Sequence, residues 1–192
     1  MEFLDSKTIK IDKVENELDR FVLDFIRILE KHTKYVIVSG YVSILFGRAR
    51  GTEDIDMFVE KLDKGKIALL YKELLQNFYY CLNADDLDDI FQILNENMAV
   101  RFAKKNTVIP NFELKFAKDT IQKESLENPV KVILPSGSLL ISNLEQQIAY
   151  KRCCLKSDKD IEDAEHLEKV FEGKLDNNLM LKYKNIFERL WK

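Results

Sequence analysis

Asp54 and Asp56 stand two residues apart in Asp54-Ile55-Asp56-Met57, with Arg48, Arg50 and Thr52 just upstream and Ser39-Gly40-Tyr41 a helix-length apolar segment before them. Side chains alternate across a strand, so both aspartates project from one face while Ile55 and Met57 point the other way. Converging carboxylates beside arginines and a threonine suit a divalent cation carrying a triphosphate, which needs hard oxygen ligands and cationic neighbours. That chemistry is phosphoryl or nucleotidyl transfer. A solvated strand face would show the same acid pair, but the Ser39-Gly40 turn and the arginines weigh against it.

The flanking pattern supplies the elements that must hold these residues. Tyr35 to Val38 is a short apolar run typical of a buried strand, and it ends at Ser39-Gly40. Tyr41 to Phe46 then forms a short helix, Gly47 to Gly51 a basic turn, and Ile55 to Val59 the strand that opens on the acid pair. Before them, Val14, Leu18, Phe21, Val22, Phe25, Ile26 and Leu29 recur at helical spacing between Lys13 and Lys31. Leu62 to Tyr80 and Asp85 to Asn95 also read as helices. Met98 to Ala103 and Asn111 to Ala117 alternate as strands. In the second, Phe112, Leu114 and Phe116 share one face and Glu113 and Lys115 the other. Glu113 is therefore a candidate third carboxylate, although a solvent-facing strand would look the same.

Val130 to Leu134 and Ser138 to Ile141 suggest a hairpin, after which Ser142-Asn143 caps a helix running to about Leu155. Two more helices follow, Lys159 to Phe171 and Leu179 to Trp191. On the first of these three helices Lys151 completes an apolar set with Leu144, Ile148 and Leu155, and on the next Asp160 opens the set Ala164, Leu167 and Phe171. An isolated buried charge costs roughly several kcal/mol. Lys151 and Asp160 must therefore pair with each other or line a polar cleft opposite the acid pair, unless Lys151 snorkels and Asp160 is a first-turn acid capped by Ser157. Of the two arginines, Arg48 reads as the surface one.

The chain has 192 residues, 46% of them hydrophobic, enough for one core with a helical extension. Its 30 basic and 33 acidic residues give a net charge of -3, which offers no global attraction for nucleic acid. Met1 to Arg20 is too charged for a signal peptide and no apolar run spans a bilayer, so a cytoplasmic protein with no membrane partner is expected. Cys81, Cys153 and Cys154 lack CxxC spacing and have only His32 and His166 for company. Neither a disulfide framework nor a zinc site is indicated.

A strand, Ser-Gly, a short helix, a basic turn and Asp-x-Asp on the next strand together resemble the polymerase-beta-like nucleotidyltransferase superfamily. The details look similar to its AbiEii-like branch of abortive-infection toxins. Arg50-Gly51-Thr52-Glu53-Asp54-Ile55-Asp56 resembles the branch's Arg-x-Thr-x-Asp-x-Asp. Leu144 to Lys151 and Ser157 to Ala164 resemble its downstream segments, so the likeness spans roughly Tyr35 to Leu167. The resemblance implies that Ser39, Gly40, Arg50 and Thr52 approach the nucleotide, and that Asp54 and Asp56, with Glu113 as a further candidate, bind magnesium, two ions in all. It further implies that Lys151 contacts phosphate and that Asp160 positions or deprotonates the acceptor.

One position departs from the pattern. Tyr41 follows Gly40 where the family keeps a small residue, so its ring either folds beneath the loop or projects into the cleft. The retained acid pair, arginines and Lys151 favour the first.

The reading is an α/β (α+β) fold with a small mixed sheet flanked by helices: residues 1-141 form the nucleotidyltransferase core and 142-192 a helical portion packed on it. The resemblance implies magnesium-dependent transfer of a nucleoside monophosphate from an NTP to an acceptor hydroxyl on RNA such as tRNA, protein or a small molecule. A toxin-like role would bring an antitoxin partner. The alternative is a catalytically silent nucleotide-binding or protein-interaction module on the same fold.

Overall fold

The computed structural model describes residues 1–190. A nine-stranded mixed sheet runs in the order β1-β2-β8-β9-β3-β4-β7-β6-β5. Its strands are β1 (Glu2–Asp5), β2 (Thr8–Lys10), β3 (Tyr35–Ile37), β4 (Asp54–Val59), β5 (Tyr79–Cys81), β6 (Val100–Lys104), β7 (Asn111–Phe116), β8 (Val130–Leu134) and β9 (Gly137–Ile141). The helices are α1 (Glu17–Leu29), α2 (Gly40–Leu45), α3 (Lys64–Gln76), α4 (Leu87–Asn95), α5 (Thr120–Glu127), α6 (Leu144–Tyr150), α7 (Asp158–Val170) and α8 (Asn177–Leu190). Among the described residues no helix is long and apolar enough to cross a membrane.

The continuously apolar β3 is buried along its length and sits mid-sheet, antiparallel to β4 and parallel to β9. Alternation in β4 sorts its residues as expected: Ile55, Met57 and Val59 are buried, while Asp54, Asp56 and Phe58 are partly exposed. Parallel pairing with β7 sets Asp54 beside Asn111, Asp56 beside Glu113 and Phe58 beside Lys115. One sheet face is thus apolar, and the other carries the charges. Helix α1 begins at a capping box between Asn16 and Asp19 and buries Val22, Leu23, Phe25, Ile26 and Leu29.

Residues after 141 complete the same core. Leu144, Ile148, Ala164, Leu167 and Phe171 belong to one buried cluster with Tyr41, Val42 and Phe46. The Phe46 and Phe171 rings meet edge to face at 4.7 Å.

Several elements differ from expectation. The helix expected over Leu62 to Tyr80 stops at Gln76, the chain turns through Phe78 at φ 64°, and Tyr79–Cys81 pairs with β6 instead. An aromatic run with an open strand edge beside it gains more from pairing than from another helical turn. Leu155 is exposed, because α6 widens into a π-helical turn over Lys151–Leu155 and loses the α-helical phase. Strands β1 and β2 and helix α5 had no counterpart in the sequence reading. The final helix starts at Asn177, and Trp191, its expected end, lies outside the described residues.

Candidate functional site

The Ser39–Gly40 turn sits between two charged groups. Ser39 adopts φ 67°, ψ -138°, a left-handed conformation unusual for a residue with a side chain, and its N–H donates to Gln147 Oε1 at 3.1 Å. Its hydroxyl hydrogen-bonds Asp56. On the neighbouring residue, a Cβ added to Gly40 would lie 3.0 Å from Arg50 Nη2 and 3.2 Å from Arg50 Cζ. A side chain at this position would press on the guanidinium and shift it by a few tenths of an ångström, so glycine lets Arg50 lie directly against the turn.

On the acid side, Asp54 and Asp56 share one face of β4, with Glu113 beside Asp56 on β7. Thr52 Oγ1 donates to the Asp54 carbonyl at 2.8 Å, which fixes the entry to the strand. Burial raises the Asp56 carboxyl above its ordinary value. Asp54 and Glu113 push it further, and Lys115 and the Ser39 hydroxyl oppose them. Glu113 accepts from Arg101 Nε at 2.7 Å and Nη2 at 2.6 Å through the same oxygen, Oε1.

The cation side centres on Asp163, whose side chain is wholly buried. It accepts from Lys151 Nζ at 2.8 Å, from Arg50 Nη1 at 2.7 Å and from Arg48. Burial alone would raise its carboxyl, but Lys151, Arg48 and Arg50 outweigh that and hold it below the ordinary value. Lys151, 1% exposed, also reaches Asp160 Oδ1 at 3.2 Å. Asp160 in turn takes the Ser157 hydroxyl. The π-helical turn that starts at Lys151 aims its ammonium at α7, and such turns recur at functional sites.

Periodicity thus chose the inward face correctly for both Lys151 and Asp160. It misplaced Arg48, which is 13% exposed and bonds Asp163, Glu162 and the Lys159 carbonyl, because a turn has no periodicity to read. It also passed over Asp163, although that residue lies three positions beyond Asp160 and four before Leu167 on the buried stripe.

Tyr41 turns its ring into the core. It is fully buried, and its hydroxyl donates to Asp19 Oδ1 at 3.0 Å. The Arg50 guanidinium lies against Gly40. A cavity next to the turn has Ser39, Phe58, Asp119, Gln147, Tyr150 and Lys151 in its wall. Asp54, Asp56 and Asp160 are outside that wall.

Among the described residues no group of three or more His, Cys, Asp or Glu is arranged to hold a metal ion. The donor set still suits magnesium, which is commonly bound by one or two carboxylates together with substrate phosphates and water. Asp54 and Asp56 offer two hard donors on one face, with Glu113 beside Asp56.

No protein-family model and no curated protein matches the sequence. Solved structures do. ANT(2″)-Ia, in complex with adenylyl-2″-tobramycin, is similar at TM-score 0.57 and 12% identity over 90% of this chain and 98% of that one. The solution structure of ANT(2″)-Ia, described as an antibiotic-resistance factor, matches at TM-score 0.53 and 14% identity over 90% and 94%. An antigenic nucleotidyltransferase-like protein from Paracoccidioides brasiliensis matches at TM-score 0.49 and 15% identity over 87% and 85%. The chain shares the fold of ANT(2″)-Ia.

Proposed function

We propose that this protein is a magnesium-dependent nucleotidyltransferase that moves a nucleoside monophosphate from an NTP to an acceptor hydroxyl and releases pyrophosphate. The observation that carries the reading is the Ser39–Gly40 turn, which touches the acid pair through Ser39 and the buried cation cluster through Arg50. A triphosphate needs those two surroundings on either side of it. The shared fold, with one neighbour bound to an adenylylated compound, adds support.

In this reading Asp54 and Asp56 would hold magnesium, two ions in all. Bound magnesium supplies charge stabilisation at the phosphate oxygens. The Ser39 hydroxyl and the Gly40 backbone orient the phosphates, and Thr52 approaches them from the entry to β4. Arg50 and Lys151 face the charge that develops on the phosphates. Asp160, within reach of Lys151, positions the acceptor hydroxyl or takes its proton. Glu113 can join as a ligand once its own cations yield.

The AbiEii-like assignment rests on the sequence resemblance, as does a toxin role with an antitoxin partner. RNA such as tRNA, protein or a small molecule would be the acceptor. A silent nucleotide-binding module is the second reading, favoured by one observation: Arg50 and Lys151 are both already paired with Asp163. Transfer of an α-labelled nucleotide to an acceptor, lost in Asp56→Asn, separates the two.

A further inference from the structure

The charged face of the sheet carries a cation that the proposed chemistry leaves unused. Lys115 Nζ lies 3.5 Å from Glu113 Oε2 and 3.7 Å from Asp56 Oδ1, so it bridges the two acids that face each other across β4 and β7. Arg101 is different: it sits at hydrogen-bond distance from Glu113 Oε1 and leaves Oε2 to Lys115. The Lys115 contacts are looser than those of Arg101. Its side chain is 37% exposed against 9% for Glu113, so the ammonium can withdraw into water while the carboxylate stays.

We propose that Lys115 is a built-in counter-cation: it spans Asp56 and Glu113 while the site is metal-free, and a divalent ion must displace it to bind. The inference rests on the reading that Asp54 and Asp56 hold the metal. Its consequence is regulatory. The protein alone binds a divalent ion weakly, and loads it efficiently only with a triphosphate, whose oxygens give the displaced ammonium a new partner. A single positive charge about 5 Å from a doubly charged ion, even fully screened by water, weakens binding by about tenfold or more.

The test is a titration of manganese, in the absence of nucleotide, into metal-free protein, followed by calorimetry and by the electron paramagnetic resonance signal of free manganese. Wild type, Lys115→Met and Lys115→Arg are compared, each with and without Asp56→Asn, after circular dichroism and melting show that all are folded. Lys115→Met should bind at least about tenfold more tightly than wild type, or bind where wild type shows nothing, since methionine keeps the stem and removes the charge. Lys115→Arg should stay weak, and Asp56→Asn should abolish the binding. Equal, Asp56-dependent affinities in wild type and Lys115→Met would overturn the counter-cation inference and leave the metal site standing. Absence of Asp56-dependent binding in every variant would overturn the metal site itself, and the inference with it.

Discussion

Replacing Asp163 by asparagine should be the most damaging single change in the charged cluster. The residue is wholly buried and is the common acceptor for Lys151, Arg50 and Arg48. Asparagine keeps the shape but leaves three cations, of which Lys151 is 1% exposed, without their central anion. Breaking a buried pair by removing one partner costs about 3–5 kcal/mol. The low end applies here, because Asp160 still reaches Lys151 at 3.2 Å and Glu162 still takes Arg48. A loss of about 3 kcal/mol corresponds to about 6–12 °C in melting temperature for a chain of this size.

Lys151→Met should cost less, about 1–2 kcal/mol, since Asp163 keeps two arginines and methionine keeps the packing. Urea unfolding at pH 7, read by circular dichroism, measures both. The Asp163 carboxyl is depressed in the folded state, so its contribution is present above the ordinary carboxylate value of about 3.9 and disappears as pH falls through the folded value. The gap between wild type and Asp163→Asn should therefore narrow as the pH is lowered below about 3.9. The reasoning is refuted if Lys151→Met proves at least as costly as Asp163→Asn, or if Asp163→Asn lies within about 0.5 kcal/mol of wild type.

Asp56→Asn should raise the melting temperature of the metal-free protein at pH 7. Its carboxyl is raised on folding, so the charged form opposes folding and the penalty sets in as pH rises through the folded value; a lower melting temperature in thermal scans would show a structural acid instead. Tyr41→Phe should cost about 1–2 kcal/mol in urea unfolding, because it removes the donor to buried Asp19. Its affinity for NTP and magnesium by calorimetry should match wild type, and a severalfold change would place the ring in the nucleotide's path.

The site was legible wherever the chain is regular. Two-residue alternation put Asp54 and Asp56 on one face of β4, and the same rule set Glu113 and Lys115 opposite the apolar residues of β7. The helical period turned Lys151 and Asp160 inward. What lay hidden depends on contacts distant in sequence. Arg48 sits in an aperiodic turn, and only the approach of α7 makes it internal. The same approach turns Asp163, one acid among several in a charged helix, into the centre of the cluster. Strand β5 was obscured because Tyr79 to Cys81 continues an apolar helical pattern, and β6 supplies the pairing that overrides it. Helix α5 did carry a signal, the Asp119 and Gln122 capping box.

The central claim is nucleotidyl transfer, and it is tested most directly by following the α-phosphate. The protein is incubated with magnesium and each of the four NTPs, labelled in turn at the α- and γ-phosphate, together with total tRNA or a cell protein extract. The account predicts that α-label becomes attached to an acceptor while γ-label leaves as pyrophosphate, and that Asp56→Asn, folded by circular dichroism, does neither. If wild type transfers no α-label to any acceptor and binds no NTP in a magnesium-dependent way, the account is contradicted.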